Sequence, residues 1–114
     1  MAELDFRDDR AKGLLEAYEG GRVAGRIAYF ALPAALAALV AVHTVVEPEY
    51  EGQGVAGALV REFYAMGERE GVPVVPLCPY AAKWAQRHPD EAPVPSAELV
   101  EAAEQRLKAD PSLW

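Results

Sequence analysis

The hydrophobic period changes at a glycine-rich turn in the middle of the chain, and this change constrains the fold more than any other feature. β-Branched residues dominate the run that leads to Val46, which is typical of a strand. The turn Glu51-Gly52-Gln53-Gly54 follows, and from Val55 apolar residues recur every three or four positions as far as Met66, which is the spacing of an amphipathic helix. A turn between a strand and a helix directs backbone N–H groups to the positive end of the helix dipole, where they attract phosphate or pyrophosphate. The segment therefore predicts a site for a phosphate-bearing ligand.

The residues around the turn restrict the kind of ligand. The Gly52-x-Gly54 pair alone is weak evidence, because glycine pairs often serve only as turns. The preceding β-branched strand, the following helix and Pro48 strengthen the functional interpretation. The Lys-Ser/Thr pair of a nucleotide P-loop is missing from this segment, so ATP is not the expected ligand.

Size and charge exclude several classes of partner. The chain has 114 residues and a formal net charge of −7, which indicates one globular domain without a basic patch. Nucleic acid is not an expected partner, since its recognition usually needs clustered Lys and Arg. An acidic surface tolerates cationic partners such as amines or basic peptides, although solubility alone also accounts for the charge. The longest apolar stretch, Ala31 to Val42, has twelve residues and contains Pro33, so no membrane span is expected.

Cysteine usage and the first residues favour a cytoplasmic protein. Cys78 is the only cysteine, so no internal disulfide can form and a reducing compartment is expected. The first five residues are acidic and carry no apolar signal-peptide segment. Two histidines and one cysteine, far apart in the sequence, do not predict a zinc site.

The first half of the chain has the pattern of an antiparallel meander. Leu14 to Tyr18 and Val23 to Phe30 are predicted strands, joined by a tight turn at Gly20-Gly21. After the break at Pro33, residues 36–46 are predicted as a strand rather than a helix because of their β-branched content. Residues 2–8 are a candidate further strand.

The second half predicts three helices and one short strand. The first helix follows the glycine turn and ends at Gly71, and a strand follows from Val74 to Leu77, in which Pro76 must lie at an edge or leave its neighbour. A second helix is expected from Tyr80 to Arg87, with Tyr80 and Trp84 stacked. Ser96 caps a third helix, residues 96–109, which Asp110-Pro111 ends. The pattern predicts an α/β (α+β) domain, with helices packed on a mixed, mostly antiparallel sheet.

Several motifs together resemble one family. The segments that carry the resemblance are His43-Thr44-x-Val46, Pro48-x-Tyr50-x-Gly52-Gln53-Gly54-Val55-Ala56, Leu59-Val60, Val74-Val75-Pro76-Leu77-Cys78-Pro79-Tyr80 and His88-Pro89. They are similar to the small single-domain GNAT-type N-acetyltransferase family, sometimes called the YjdJ type, over about residues 5–92. The resemblance implies a GNAT-like acetyl-CoA-binding domain at residues 1–92, to which a proline-rich loop and helix, residues 93–114, are appended.

The resemblance also implies a reaction and a cofactor. Members of the family bind acetyl-CoA or coenzyme A, with the pyrophosphate on the amides of the glycine turn and the pantetheine arm between two parallel strands that splay apart. The expected activity is transfer of an acetyl group to an amine, either small or on a protein, by a monomer or weak dimer. The implied cofactor-binding residues are Val45, Val46, Gly52, Gln53, Gly54, Val55, Ala56, Gly57 and Lys83. Two other functions stay open, a coenzyme A-binding regulatory module without turnover and a non-enzymatic interaction domain.

One position departs from the family pattern. The GNAT motif begins with Arg or Gln, whereas this chain has Glu51 there. A carboxylate repels a pyrophosphate, so affinity is expected to fall unless the side chain points to solvent. Because the backbone amides do most of the holding, binding itself is expected to persist.

Cys78 is the leading candidate for chemistry. It lies between a strand and a helix, bounded by Pro76 and Pro79, and a helix N-terminus stabilises a thiolate. Three roles stay open: a nucleophile that accepts the acyl group, a general base for an amine, and a buried thiol that only packs. The resemblance implies that this cysteine lies near the acyl group.

Three further side chains are candidates with simpler alternatives. His43 can take a proton from an ammonium substrate, or it can be a hydrogen-bonded structural histidine. Tyr80 can protonate the departing coenzyme A thiolate, a role that tyrosine has in many GNAT enzymes, or it can only pack against Trp84. Lys83 can meet the coenzyme phosphates, or it can belong to a solvated helix face, as Arg87 can.

Overall fold

The computed structural model describes residues 3–110 and 112. In this part of the chain, five strands form one sheet in the order β1-β2-β3-β4-β5, accompanied by three α-helices. The elements are β1 (Asp5–Asp9), β2 (Leu14–Glu19), β3 (Arg22–Leu32), β4 (Ala38–Val46), α1 (Val55–Glu70), β5 (Val74–Pro76), α2 (Pro79–Arg87) and α3 (Ala97–Ala109). The first four strands pair antiparallel and β5 pairs parallel to β4. The predicted fold class, a mixed and mostly antiparallel sheet with packed helices, is confirmed.

The meander follows the predicted boundaries closely. Gly20 and Gly21 make the β2–β3 turn with φ of +57° and +82°, a conformation that glycine adopts without a steric penalty. The opening strand begins at Asp5, and residue 2 of its predicted range lies outside the described residues. The segment before β4 forms a short 3₁₀ turn at Ala34–Leu36, so β4 starts at Ala38 and not at residue 36.

The sheet separates two apolar cores. Along β4, Leu39 and Ala41 contribute to one core, whereas Ala38, Val40 and Val42 contribute to the other. We call these the first face and the second face of the sheet. Helices α1 and α2 cover the first face with residues that include Leu59, Phe63 and Trp84. Helix α3 covers the second face through Ala103 and Leu107.

A β-bulge in β4 changes which side chains share a face. Ala28 pairs with His43 and Tyr29 pairs with Ala41, so β4 has one extra residue at Val42. Ile27, which lies in the core of the first face, pairs with Thr44, and directly paired residues point to the same face. Thr44 therefore projects from the first face and His43 from the second. Without the bulge, regular alternation of side chains from Ala41 would place His43 on the first face and Thr44 on the second.

Helix α1 begins and ends as its sequence predicts. Its N-cap is Gly54 (φ +81°) and its C-cap is Gly71 (φ +71°), both in the left-handed region. The Gly71 N–H donates to the Glu68 carbonyl at 3.1 Å, which closes the last turn. Ser96 caps α3 as predicted, since its Oγ accepts from the Leu99 N–H at 3.2 Å. Pro111, the predicted helix terminator, lies outside the described residues.

The surroundings of Trp84 differ from the predicted pair with Tyr80. The indole stacks on Tyr64 of α1, with centroids 5.8 Å apart, and on His88, with centroids 4.1 Å apart. Tyr80, one turn earlier on the same side of α2, is 43% exposed. Among the described helices, none is both long enough and apolar enough to cross a membrane.

Candidate active site

The glycine turn requires glycine for its conformation and not for lack of space. The chain leaves β4 through a 3₁₀ turn at Pro48–Tyr50, and Gly52 and Gly54 then have φ of +79° and +81°. A Cβ on either glycine would meet nothing within 4 Å, so both positions are open to a ligand. The Gln53 side-chain amide donates to the Glu49 carbonyl at 3.3 Å, which helps to hold the turn in place.

The start of α1 presents a cluster of backbone donors. The first intrahelical bond is donated by the Ala58 N–H to the Gly54 carbonyl at 3.1 Å. The N–H groups of Val55, Ala56 and Gly57 therefore have no intrahelical acceptor, and Gly54 has no side chain to cap them. Such a cluster at the positive end of a 16-residue helix fits a phosphate or pyrophosphate group.

A gap between β4 and β5 leads away from this turn. Their parallel pairing covers only Leu39–Ala41 against Val74–Pro76. The N–H groups of Leu77 and Cys78 then both donate to the Ala41 carbonyl, each at 3.0 Å. From Val42 to Val46, β4 still runs beside β3, but its opposite edge has no pairing with β5. The prediction that the strand bearing Pro76 lies at an edge or leaves its neighbour is confirmed.

Cys78 lies at the closed end of that gap. It is the N-cap of α2 and its side chain is buried. The thiol donates a hydrogen bond to Thr44 Oγ1, with a sulfur–oxygen distance of 3.3 Å. Sequence reasoning missed Thr44 as the partner of Cys78, because only the bulge in β4 turns Thr44 toward the first face.

The structure does not bring His43 to the same side of the sheet as Cys78. His43 is solvent-exposed and projects from the second face, whereas Cys78 belongs to the core of the first face. A proton transfer that involves both groups would have to pass through the gap between β4 and β5.

Helix α2 borders the start of α1. A Cβ on Gly57 would stand 3.6 Å from both Tyr80 Oη and Trp84 Nε1. Tyr80 therefore lies beside the first turn of α1, and exposed Lys83 follows it on the same helix at a spacing of three residues. Val45 and Val46 end the part of β4 that pairs with β3 but not with β5, shortly before the 3₁₀ turn at Pro48–Tyr50. The structure thus groups the turn, the open edge of β4, Cys78 and Tyr80 around one gap.

Acidic residues flank the turn, and two of them are paired. Glu47 contacts Arg26 at 3.2 Å and Glu49 contacts Arg22 at 3.5 Å, while Glu51 is solvent-exposed. Positive potential at the turn therefore comes mainly from the helix amides. Within residues 3–110 and 112, no group of three or more His, Cys, Asp or Glu side chains could hold a metal ion.

The fold and the site together define an α/β protein with an amide-lined helix N-terminus at the mouth of a gap between parallel strands. Residues 15–94 match the family model of the GCN5-related N-acetyl-transferases. Because this match spans well over half of the chain, the protein belongs to that family, whose members use acetyl-CoA. No curated protein sequence matches the chain.

Two solved acetyltransferase structures share the fold, and a third is similar over part of the chain. The ribosomal-protein-alanine N-acetyltransferase from Brucella melitensis biovar Abortus 2308 aligns with a TM-score of 0.56 at 22% identity, over 73% of this chain and 62% of its own. An acetyltransferase from Trypanosoma brucei aligns with a TM-score of 0.52 at 18% identity, over 76% and 66%. A GNAT family acetyltransferase from Brucella melitensis, solved with acetyl-CoA, aligns with a TM-score of 0.48 at 31% identity, over 56% and 44%. The chain thus spans less than two thirds of either Brucella protein.

Proposed function

We propose that this protein is an acetyl-CoA-dependent N-acetyltransferase that moves an acetyl group to an amine. One observation carries the proposal: the glycine turn at the start of α1 and Cys78 lie at the two ends of the same gap between β4 and β5. A long ligand with a pyrophosphate at one end and a thioester at the other suits this arrangement. Family membership supports the choice of acetyl-CoA as that ligand.

One set of residues would bind the coenzyme, and another would take part in the reaction. The amides of residues 52–57 would bind the pyrophosphate, with Lys83 available to its charge. The unpaired edge of β4 at Val45 and Val46 would hydrogen-bond the amide groups of the pantetheine arm, as a neighbouring strand would. Both features are backbone features, so they tolerate the exposed Glu51 at the family's Arg or Gln position.

Two reaction routes are compatible with the position of Cys78. In the direct route, a neutral amine attacks the thioester carbonyl, the C–S bond breaks, and the coenzyme thiolate takes a proton, with Tyr80 as the candidate donor. In the covalent route, the Cys78 thiolate attacks first and the coenzyme thiolate leaves, and the amine then displaces the thiol from acetyl-Cys78. In either route His43 is the candidate base, acting through the gap and not by contact with Cys78.

Charge supports a cationic acceptor. The net charge of −7 and the carboxylates beside the turn favour an ammonium-bearing substrate, whether a small amine or a protein amine. The Leu77-Cys78-Pro79-Tyr80 and His88-Pro89 segments support assignment to the small YjdJ type. The single buried thiol supports a cytoplasmic location, and we expect a monomer or weak dimer.

An acetyl-transfer assay tests the proposal. Purified protein is incubated with acetyl-CoA and a panel of polyamines and lysine peptides, and release of free coenzyme A thiol is followed. We expect turnover with at least one amine, and its loss in Cys78→Ala if the covalent route operates. Full activity of Cys78→Ala would remove both catalytic roles for the thiol, and intact-mass detection of acetyl-Cys78 would separate the two routes.

Glu51 favours a second candidate, a coenzyme A-binding regulatory module. A carboxylate next to the pyrophosphate site suits a protein that binds the coenzyme weakly and does not turn it over. Saturable acetyl-CoA binding with no acetyl transfer to any amine in the panel would select this function. Absence of both binding and transfer would leave a non-enzymatic interaction domain.

A further inference from the structure

The indole N–H of Trp84 is a buried donor that the proposed coenzyme contacts do not include. Trp84 is 6% exposed and lies in the core where α2 packs beside α1. Outside the helix backbone, the hydrogen bond described for this residue uses its carbonyl oxygen, 2.9 Å from His88 Nδ1. The indole nitrogen has no acceptor among the residues that the structure describes. Because the N–H of a buried tryptophan usually has an acceptor, this nitrogen points to one that a ligand supplies.

A ligand can reach this nitrogen. Within the described part of the chain, the Tyr64 oxygen alone is both sealed from solvent and without a hydrogen-bond partner. The Trp84 nitrogen also has no partner, so it is not sealed. The donor is therefore accessible, although the rest of its side chain is buried.

The nitrogen is directed at the first turn of α1. It lies 3.6 Å from the point that a Cβ on Gly57 would occupy. Side chains on a helix tilt toward its N-terminus, so this point is on the side of the free N–H groups of residues 55–57. The indole N–H thus lies beside the same cluster of backbone donors that is assigned to the pyrophosphate.

Three contacts fix the plane of the indole. The ring stacks on Tyr64, with centroids 5.8 Å apart, and on His88, with centroids 4.1 Å apart. The Arg61 guanidinium lies over the indole, 5.5 Å from its centroid. The donor is therefore held toward α1 before a ligand arrives, and such a group loses little side-chain freedom on binding.

Gly57 keeps the space in front of the nitrogen free. Outside the local backbone, the nearest neighbours of a Cβ at this position would be Trp84 Nε1 and Tyr80 Oη, both at 3.6 Å. These are ordinary van der Waals distances, so the contact between α1 and α2 would accept alanine, which is also the better helix former. Packing does not require glycine here, whereas a ligand atom between the helix amides and the indole does.

We propose that Trp84 is a coenzyme-binding residue whose indole N–H donates to an oxygen of the pyrophosphate held on the amides at the start of α1. The inference rests on the proposed function and adds to it a side-chain donor from α2. Pyrophosphate is the assigned acceptor because the nitrogen lies beside the amides of residues 55–57. A neutral donor at this point also adds to the attraction that the carboxylate of Glu51 diminishes.

The indole proton resonance of Trp84 reports this contact directly. The nitrogen-labelled full chain is titrated with acetyl-CoA in proton–nitrogen correlation spectra, and the resonance is assigned by its loss in Trp84→Phe. We expect a saturable downfield shift of this proton, with the same dissociation constant as the shifts of the amides of residues 55–57. Acetyl-pantetheine, which lacks the pyrophosphate, should leave the resonance in place, and a shift with this compound would overturn the assignment to pyrophosphate.

Three variants separate the hydrogen bond from the fold. Trp84→Phe keeps an aromatic ring in the stack and should weaken acetyl-CoA binding about tenfold, the loss expected for one hydrogen bond to a charged group. Gly57→Ala should keep or raise Tm and still weaken binding about tenfold or more, because its methyl group fills the space in front of the indole. Tyr64→Phe alters the same aromatic stack without touching the donor and should leave the dissociation constant unchanged.

The outcomes distinguish this inference from the coenzyme site itself. Acetyl-CoA that shifts the amides of residues 55–57 but not the indole proton would overturn the role of Trp84 and leave the coenzyme site intact. Undiminished affinity in Trp84→Phe or in Gly57→Ala would have the same meaning. No saturable binding by the unsubstituted protein at millimolar acetyl-CoA would overturn both. If Trp84→Phe does not fold, the indole resonance of the unsubstituted protein and the affinity of Gly57→Ala decide.

Discussion

At the scale of single residues, the exposed carboxylate of Glu51 lies next to the proposed pyrophosphate site and weakens binding there by charge repulsion. The amides of the first turn of α1 and the helix dipole supply the attraction, and Glu51 subtracts from it. The turn thus depends on backbone groups that a side-chain substitution nearby does not remove.

Glu51→Gln is expected to tighten acetyl-CoA binding. Removing one exposed negative charge near the ligand changes affinity by up to about fivefold, in line with exposed ion pairs worth about 0.2–1 kcal/mol. Calorimetry at low and high salt measures the effect, and the gain should shrink at high salt because the interaction is screened. Glu104→Gln on α3 is the charge-matched control. Affinity that is unchanged at low salt would contradict the placement of the pyrophosphate beside residue 51.

Thr44→Val tests the partner of the thiol. Valine keeps the shape of threonine but cannot accept the hydrogen bond from Cys78. If Cys78 reacts with the acyl group, kcat should fall about fivefold, from one lost hydrogen bond of about 1 kcal/mol, while the dissociation constant of acetyl-CoA stays unchanged. Thr44→Ser retains the hydroxyl and should restore the rate. Full activity of Thr44→Val would show that the contact has no part in the reaction.

The residue pattern predicted the glycine turn but not the contact between Cys78 and Thr44. Positive φ at Gly52 and Gly54 follows from residue type and spacing, which are local properties. The face to which Thr44 points depends on the extra residue at Val42, and a bulge has no local signal in this run of apolar residues. For the same reason the sequence did not show that His43 and Cys78 project from opposite faces.

At the scale of elements, an ion pair links α1 to the segment after α2. Arg61 donates two hydrogen bonds to the Glu91 carboxylate, at 2.7 and 3.2 Å. These bonds hold the pKa of Glu91 below its usual value of 4.5. The folded protein therefore gains stability from this group at pH values above 4.5, and loses it as the pH falls through the lower pKa of the folded state.

Glu91→Gln is expected to lower Tm at neutral pH and to have no effect in acid. The difference from the unsubstituted protein should fade as the pH falls below 4.5 and vanish below the lower pKa of the folded state, where the carboxylate is protonated in both states. Thermal unfolding followed by circular dichroism between neutral pH and pH values below 4.5 measures it, with Glu101→Gln on the exposed side of α3 as the control. A Tm difference that persists unchanged in acid would contradict the pairing.

The elements were more predictable than their contacts. The hydrophobic periodicity of residues 55–66 predicted helix α1, and Pro76 predicted that β5 separates from its neighbour. Each feature has a steric or periodic cause within a few residues, so it is visible in the local sequence. The stacking of Trp84 on Tyr64 was not predictable, because Tyr64 and Trp84 are twenty positions apart and meet only after α1 and α2 pack on the same face.

At the scale of the whole molecule, α3 closes the second core. The helix beyond the family match buries Ala103 and Leu107 in the same core as Val40, Val42 and Val75. The apolar face of α3 is therefore occupied by its own sheet and is not free to pair two chains. We propose that residues 93–114, although appended to the domain at residues 1–92, contribute to its stability.

Leu107→Ala tests that contribution. Leu107 is 6% exposed, and the substitution should lower the free energy of unfolding by about 2–3 kcal/mol through lost burial and a residual cavity. Urea denaturation measures the change, and Glu104→Ala on the exposed side of the same helix should change stability by less than about 0.5 kcal/mol. Equal effects of the two substitutions would mean that α3 does not pack on the sheet in solution.

The central claim is that the turn before α1 holds the pyrophosphate of acetyl-CoA, and calorimetric titration of acetyl-CoA tests it most directly. Gly54→Asp places a carboxylate in the open space at the N-cap, whereas Gly20→Asp makes the same change at another glycine with positive φ and open surroundings. We predict saturable binding by the unsubstituted protein and by Gly20→Asp, and none by Gly54→Asp. No heat and no Tm shift at millimolar acetyl-CoA, or undiminished binding by Gly54→Asp, would contradict the assignment of the turn as the coenzyme site.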